Sequence, residues 1–177
     1  MLNDTIVGTN LEFPNNTGYL GILSGTRNVK VNVTGTPTTV IEADLPLDTG
    51  TSYTVFAIDE VAEIAPLVLE DDLTPPAAGK AHVRFVHLSP DAPAVDIALQ
   101  GGAVIFADVA FGESDDDGLF TPLDAGTYDL EVRVADTMTV VLPLPGITLE
   151  EGKIYTVFAK GFAAPRPVKS LWELRLL

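Results

Sequence analysis

Apolar and polar residues alternate along much of the chain. In Tyr128–Val134 the apolar side chains fall at every second position, with charged side chains between them. Val29–Val33 follows the same rule, and Val95–Leu99 alternates around Asp96. This period of two is typical of a β-strand with one buried face. No stretch carries an apolar stripe of helical period, so the pattern predicts an all-β protein.

Turn-forming residues separate these runs at short intervals. They lie at Asp48–Gly50, Pro90–Pro93, Gly101–Gly102, Asp124–Gly126 and Glu151–Gly152. Glycine, proline and aspartate favour tight turns between strands. About seven short strands in roughly 98 residues is the pattern of a β-sandwich of the immunoglobulin-like type.

The chain contains two copies of one unit. Tyr53–Ala57 and Tyr155–Ala159 share the same five letters, YTVFA, at an offset of 102 residues. Upstream, Gly25–Val33 matches Gly126–Val134 in its opening glycine and threonine and in its alternating apolar positions. A repeat of this length predicts two homologous domains in tandem.

The two copies differ in completeness. The second covers residues 80–177, the first covers 1–72, and a stiff, proline-bearing linker at 73–79 joins them. We therefore predict two tandem immunoglobulin-like β-sandwich domains, of which the first lacks its N-terminal strands.

The missing part of the first copy follows from the alignment of the repeat. Ile6–Phe13 lines up with Val104–Phe111, which places Met1 opposite Leu99. Residues 80–98, which carry two strands of the second copy, then have no counterpart in the first. A sandwich without its opening strands exposes an unpaired sheet edge and part of its apolar interior.

Charge and composition exclude several classes of function. The chain has 25 acidic and 10 basic residues and a net charge of −15, which repels nucleic acids and anionic lipid surfaces. No apolar run approaches the roughly 18 residues that a membrane-spanning helix needs, so we expect no membrane insertion. With no cysteine, disulfides, thiolate nucleophiles and cysteine-ligated zinc are excluded.

Four motifs of the second copy point to a known family. They lie at Ala81–Ile97, Asp108–Glu113, Leu123–Tyr128 and Gly152–Val157. The run HLSPDAP at His87–Pro93 is the most specific of their features. Together they resemble the DUF4397 family, small β-sandwich domains of unassigned function.

The resemblance covers residues 81–160, and residues 1–72 look like the latter two-thirds of a second such domain. It implies a secreted or cell-surface setting in bacteria or archaea and no known catalytic residues. Because no signal peptide opens the chain, we expect that one has been removed or lies upstream.

His87, Ser89 and Asp91 are the nearest approach to a hydrolytic set. A nucleophile needs a base within hydrogen-bond reach and a group that orients the base. Here the serine precedes a proline in a turn and has no glycines around it to form an oxyanion hole. We therefore expect a structural role, in which Asp91 closes a turn and the His87 ring packs at the edge of the core.

The best metal candidate is the acidic run that contains Glu113, Asp115 and Asp117. Three carboxylates at alternate positions of an extended segment face the same way and could bind calcium. The run lacks the spacing of a calcium-binding loop and has no acidic counterpart in the first copy. A solvated loop is the simpler interpretation, and we predict no other cofactor.

Three glycosylation sequons occur, at Asn3, Asn15 and Asn32. All three belong to the first copy, and chance alone would supply about one. They predict glycosylation of a secreted surface protein, and coincidence in a threonine-rich β protein is the alternative.

The incomplete first copy leaves three explanations open. The missing strands lie upstream of Met1, Leu2–Val7 covers the gap, or another chain supplies a strand by β-augmentation. The candidate donor is the apolar C-terminal tail, with Leu171, Trp172, Leu174 and Leu176 as its apolar residues. Its repeat counterpart near Leu67–Leu69 favours the alternative that the tail is the last strand of its own domain.

These observations predict a non-enzymatic extracellular protein with a structural or adhesive role. In the sharper form of this hypothesis, identical chains self-associate into a filament by strand donation. A basic end at residues 153–177 on an acidic body favours such head-to-tail contacts. The alternative is a monomeric module that binds a glycan or another small ligand through its loops.

Overall fold

The computed structural model describes residues 8–11 and 15–164, together with the backbone of Glu173–Leu176. The side chain of Asp117 lies outside this description. The strands are β1 Gly25–Asn32, β2 Thr39–Leu47, β3 Ser52–Ile58, β4 Ala65–Asp71, β5 Lys80–Leu88, β6 Val95–Leu99, β7 Val104–Val109, β8 Thr121–Asp124, β9 Gly126–Val134, β10 Val140–Leu149, β11 Ile154–Lys160 and β12 Glu173–Leu176.

The prediction of an all-β protein is confirmed. In the described part of the chain the only helical element is one turn of 3₁₀-helix, η1, at Asp115–Gly118. The same part holds no helix with the length and apolarity that crossing a bilayer requires.

The chain divides into two compact units, Met1–Val68 and Leu69–Leu177. The boundary falls within β4, so that the last residues of this strand belong to the second unit. The predicted linker at 73–79 contains no strand and lies on the second unit's side of the boundary.

The second unit contains two four-stranded sheets, in the orders β10-β9-β6-β7 and β12-β11-β5-β8. Their inward side chains form one apolar core, as expected for two sheets packed face to face. The buried members of this core are Ala81, Val83, Phe85, Val95, Ile97, Phe106, Val109, Val132, Leu149, Val157 and Ala159. The structure is thus consistent with a β-sandwich.

Strand β5 occupies a central place in the second sheet. It runs parallel to β11, with Val83 opposite Tyr155 and Phe85 opposite Val157, and antiparallel to β8 on its other side. Side chains on both faces of β5 are buried, which an exposed sheet face would not allow.

The first unit has the same strand pairs without their neighbours. Its sheets are two-stranded, β1-β2 and β3-β4. By the repeat, β1 and β2 correspond to β9 and β10, and β3 and β4 correspond to β11 and β12. In the described part of the first unit no strand takes the place of β5, β6, β7 or β8.

The tyrosine that opens YTVFA has the same role in both copies. The Tyr53 hydroxyl accepts a hydrogen bond from the backbone N–H of Asp48 at 3.2 Å, and the Tyr155 hydroxyl accepts one from Glu150 at 3.0 Å. Each tyrosine therefore fastens the turn that precedes its strand.

The C-terminal tail forms a strand of its own unit. In β12, Leu174 lies opposite Ala159 of β11 and Leu176 lies opposite Val157. Leu171 and Trp172 lie outside the described residues. Since the backbone of 173–176 already pairs within its own sheet, the tail follows its repeat counterpart, and its donation to another chain stays a prediction.

Candidate functional site

Five identical residues have different environments in the two units. Val157, in the YTVFA of β11, is 7% exposed and belongs to the core of the second unit. Val55, at the same position of β3, is 45% exposed. Because the local sequence is the same, the difference comes from what packs on the strand.

The other sheet of the first unit shows the same contrast. Val31 of β1 is 37% exposed, whereas its counterpart Val132 in β9 is fully buried. Ile22 is 42% exposed, whereas its counterpart Leu123 packs against the core of the second unit. These positions of the first unit thus keep the apolar residues that are buried in the second unit, but their side chains remain substantially exposed to solvent.

The two units also differ in the number of strands that pair with these positions. Among the described strands β3 has one neighbour, β4, whereas β11 lies between β12 and β5. Likewise β1 has one neighbour, β2, whereas β9 lies between β10 and β6. Within the described part of the chain, no strand pairs with the sides of β1 and β3 that correspond to the β6 and β5 contacts. We call these two sides the acceptor edges.

Proline marks the strands that border the acceptor strands. Pro46 lies in β2 and Pro66 in β4, and β10 of the second unit carries Pro143 and Pro145. Neither β1 nor β3 contains proline. Proline cannot donate to a strand ladder and is a common protection of sheet edges. The acceptor strands are therefore the ones whose sequence permits a further strand.

A family model gives the relationship of the chain. The model of DUF4397, a domain of unknown function, matches residues 1–98, which is more than half of the sequence. The chain belongs to the DUF4397 family. No curated protein matches it.

The DUF4397 match lies elsewhere than the sequence motifs suggest. The motifs place the resemblance on residues 81–160, whereas the match covers the first copy and ends within β6. The matched range thus contains β1–β4, which correspond to β9–β12, the last four strands of the second unit. It also contains β5 and β6, the first two complete strands of the second unit.

The side chains of the DUF4397 motif at His87–Pro93 make contacts that indicate a structural role. The His87 ring is fully buried at the edge of the core, 6.5 Å from the Phe85 ring. Its Nδ1 accepts a hydrogen bond from the Ser89 backbone N–H, and its Nε2 lies 3.1 Å from the Pro93 carbonyl oxygen. The ring is buried against the core, as the sequence predicts, and its two nitrogens in addition hold the loop that follows β5.

Asp91 does not close a local turn, so this part of the prediction is wrong. Its two carboxylate oxygens accept the backbone N–H groups of Ala163 and Ala164, at 2.7 and 3.0 Å. The buried Ser89 hydroxyl has no hydrogen-bond partner within the described structure. The three side chains are thus not joined as nucleophile, base and orienting acid.

Burial lowers the pKa of His87 below its ordinary value of 6.5, while the hydrogen bond to Pro93 opposes this shift. A histidine with a lowered pKa in the folded state binds fewer protons there than in the unfolded state. The contribution of the neutral His87 to the free energy of unfolding is therefore fully present above about pH 6.5. It decreases as the pH falls from there through the lower folded-state pKa.

We expect the melting temperature of the chain to decrease between pH 8 and pH 5.5. His87→Gln, which cannot titrate, should reduce this dependence, and His82→Gln is the matched control on the same strand. Calorimetry of the three proteins across this range provides the measurement. An equal pH dependence in the wild type and His87→Gln would show that another group is responsible.

Arg84 is a buried charged residue of the second unit that the sequence did not indicate. It is 1% exposed, on the opposite face of β5 from Val83 and Phe85. Its Nη2 lies 2.6 Å from the buried Asp71 carboxylate, and its Nε donates to the Thr156 hydroxyl at 3.0 Å.

Backbone and aromatic groups complete the surroundings of Arg84. Its Nη1 donates to the carbonyl oxygens of Glu70 and Gly118, at 3.2 and 3.4 Å. Its guanidinium carbon lies 4.5 Å from the centre of the Phe120 ring. The contacts satisfy a charge that burial would otherwise make costly. A charged residue between apolar ones on a predicted strand gives no sign of this in sequence.

The geometric premise of the calcium prediction is wrong. Glu113 is exposed and Asp115 begins η1, so the acidic run is not an extended strand with its carboxylates on one face. Burial raises the pKa of Asp115, opposed by a backbone hydrogen bond from Ala107 and reinforced by the charge of Asp116. The described side chains contain no cluster of three metal-ligating groups. With the Asp117 side chain outside the description, calcium binding itself stays a prediction.

The acidic run borders an open cleft of the second unit, with a volume of about 500 Å³. Its lining residues are Leu69, Ala107, Asp108, Val109, Gly112, Glu113, Ser114, Asp115 and Asp116. Among the residues that the structure describes, this lining offers acidic side chains and no aromatic ring on which a sugar could stack.

Two of the three sequons fall within the description. Asn15 is exposed. Asn32 ends β1, is half-buried, and accepts a hydrogen bond from the Thr39 hydroxyl at 3.0 Å. Asn3 lies outside the described residues, and glycosylation at all three stays a prediction.

Proposed function

We propose that this chain is a non-enzymatic structural or adhesive protein of the cell surface that self-associates by β-augmentation at its first unit. The observation that carries the proposal is the contrast between Val55 and Val157, in identical pentapeptides. In the second unit β5 pairs with this sequence, and the facing sheet completes the core around Val157. In the first unit a strand from a neighbouring chain would supply the missing pairing and contribute to covering the exposed apolar face.

The proposal has a simple energetic basis. Covering apolar surface contributes about 25 cal/mol per Å², and each new backbone hydrogen bond adds to this. Exposed positions such as Val31 and Val55 lie on strands that carry no proline to block pairing. Strand addition of this kind does not close on itself when donor and acceptor surfaces differ, and it then propagates into a fibre.

We also propose that both units are variants of the immunoglobulin-like sandwich. The tyrosine that bonds to backbone a few residues upstream supports this, since it resembles the tyrosine corner of such domains. The division of the second unit into two sheets of four strands differs from the common seven-stranded arrangement.

The proposal predicts oligomers whose mass increases with protein concentration. Light scattering coupled to size exclusion, with negative-stain microscopy of the peak fractions, measures mass and shape. Val55→Lys should shift the distribution towards the monomer of 18.8 kDa, because a lysine on β3 opposes coverage of this strand.

The matched control is Val140→Lys in β10, since Val140 is also 45% exposed but its strand carries prolines. This variant should associate like the wild type. A monomer at every concentration would overturn self-association. The competing function, ligand binding through loops such as those around the acidic cleft, would then be tested by the rise in melting temperature that a ligand causes.

A further inference from the structure

Arg133 is a second buried arginine of the second unit, next to the core residue Val132 in β9. It is only 2% exposed. Its Nε donates a hydrogen bond to the Glu131 carboxylate at 2.7 Å. Its Nη2 donates to the carbonyl oxygens of Leu99 and Gly102, at 3.2 and 3.1 Å. Two of the three guanidinium nitrogens thus have oxygen acceptors.

The third nitrogen of this guanidinium has a weaker partner. Among the described residues, the hydrogen-bond acceptor of Nη1 is the thioether sulfur of Met138, at 3.5 Å. A thioether is a weak acceptor, whereas a charged donor forms its strongest hydrogen bonds with oxygen. An oxygen in the place of this sulfur would therefore bind the buried guanidinium more tightly.

Met138 is held beside the guanidinium and is also open to solvent. The turn that carries it is fastened by the Thr137 hydroxyl, which donates to the Val134 carbonyl oxygen at 2.8 Å. The backbone N–H of Asp136 donates to the Asp96 carboxylate at 3.3 Å. Met138 itself is 70% exposed, so an oxidant in solution can reach its sulfur.

We infer that Met138 is a site of oxidation by peroxide and that Arg133 binds the sulfoxide formed there. The sulfur lone pair attacks one oxygen of hydrogen peroxide and the O–O bond breaks. The other oxygen takes the proton of the first and leaves as water, so that sulfur loses the two electrons that the peroxide gains. The sulfoxide oxygen then accepts the Nη1 hydrogen bond in place of the sulfur. This inference is independent of the self-association proposed above.

The consequence differs from the usual effect of methionine oxidation. A sulfoxide ordinarily weakens a structure, because it makes an apolar side chain polar. At Met138 the new oxygen faces a charged donor, and most of the residue already lies in water. We therefore expect oxidation to stabilise the hairpin of β9 and β10.

The test is the melting temperature of the full chain before and after treatment with hydrogen peroxide, in dilute solution. Mass spectrometry of the tryptic peptide 134–153 verifies that one oxygen atom has been added at Met138. We expect the melting temperature to rise by about 3 °C or more, the effect of giving a charged donor an oxygen acceptor in a chain of this size.

The matched control moves the methionine away from Arg133. In the variant Val61→Met with Met138→Leu, the new methionine occupies a position that is 71% exposed, in the segment 59–64, which contains no arginine. This variant retains Met1, so oxidation of Met1 affects both proteins equally. Peroxide should not raise its melting temperature. Met138→Gln, which supplies an amide oxygen without peroxide, should melt above Met138→Leu.

Nuclear magnetic resonance of protein with isotope-labelled arginine identifies the guanidinium. The Nη protons of Arg133 should exchange with water more slowly after oxidation, because a stronger acceptor holds them. Those of Arg27, in the first unit, provide the internal reference and should not change.

Each of four results would overturn the inference. Peroxide could leave Met138 unoxidised, or the melting temperature of the oxidised wild type could stay constant or fall. A rise in the control variant as large as in the wild type would show that the stabilisation does not come from Arg133. Unchanged exchange of the Arg133 protons would show that another group binds the sulfoxide.

Discussion

Val157→Asp is expected to abolish the folded second unit, whereas Val55→Asp leaves the stability of the chain almost unchanged. The substitution is the same, and so are the two residues on each side. Val157 is 7% exposed in a continuous core, so a carboxylate there would lose its hydration without gaining a partner. This costs about 5 kcal/mol or more, which is comparable to the whole stability of a small domain.

At Val55 the carboxylate stays in water, because this position is 45% exposed. The change in unfolding free energy should be below about 0.5 kcal/mol, as for most surface substitutions. Urea unfolding followed by circular dichroism, in dilute protein to exclude association, measures both effects. Equal losses at the two positions would mean that the first unit already covers β3, and would remove the basis of the acceptor edges.

Asp71→Ala is expected to destabilise the second unit by about 3–5 kcal/mol, because it leaves the Arg84 charge buried without its carboxylate. Asp71 is 5% exposed and Arg84 is 1% exposed, so water cannot replace the lost partner without a rearrangement. The measurement is the free energy of unfolding in urea. Asp72→Ala, at the next position and exposed, is the matched control with little expected effect.

A double variant distinguishes a lost ion pair from lost packing. Asp71→Leu with Arg84→Met replaces the charged pair by apolar side chains of similar volume. It should recover most of the stability, since replacing both partners of a buried pair is often neutral or stabilising. A double variant as unstable as Asp71→Ala would show that the contacts of Arg84 with Thr156 and with backbone carbonyls matter more than the ion pair.

The relation between sequence and structure differs among the elements. The alternation in Tyr128–Val134 predicts β9, because successive side chains of a strand point to opposite faces. A strand with one buried face therefore has apolar residues at every second position. The burial of His87 follows in the same way from its phase with Val83 and Phe85. Local periodicity is enough for both.

The site residues depended on distant parts of the chain. Asp91 bonds to the backbone of residues 163–164, and Arg84 depends on Asp71 from the end of the preceding strand. Neither contact has a local pattern, because its partners meet only when the sheets form. In the acidic run at 113–117 the local pattern was misleading. Its acidic residues alternate in sequence, but one turn of 3₁₀-helix prevents their side chains from facing the same way as they would in an extended segment.

The sequence by itself determined the all-β class of the fold and the repeat of YTVFA and its flanking strands, because each is a matter of periodicity or of aligned letters. Only the tertiary structure decided which apolar residues are covered. YTVFA occurs twice and is a core strand once, since burial depends on the strands that pair with it and the sheet that faces it, and not on the five residues themselves. Local sequence specifies a strand and its faces, whereas the hydrophobic contribution to stability arises only when another element removes those faces from water.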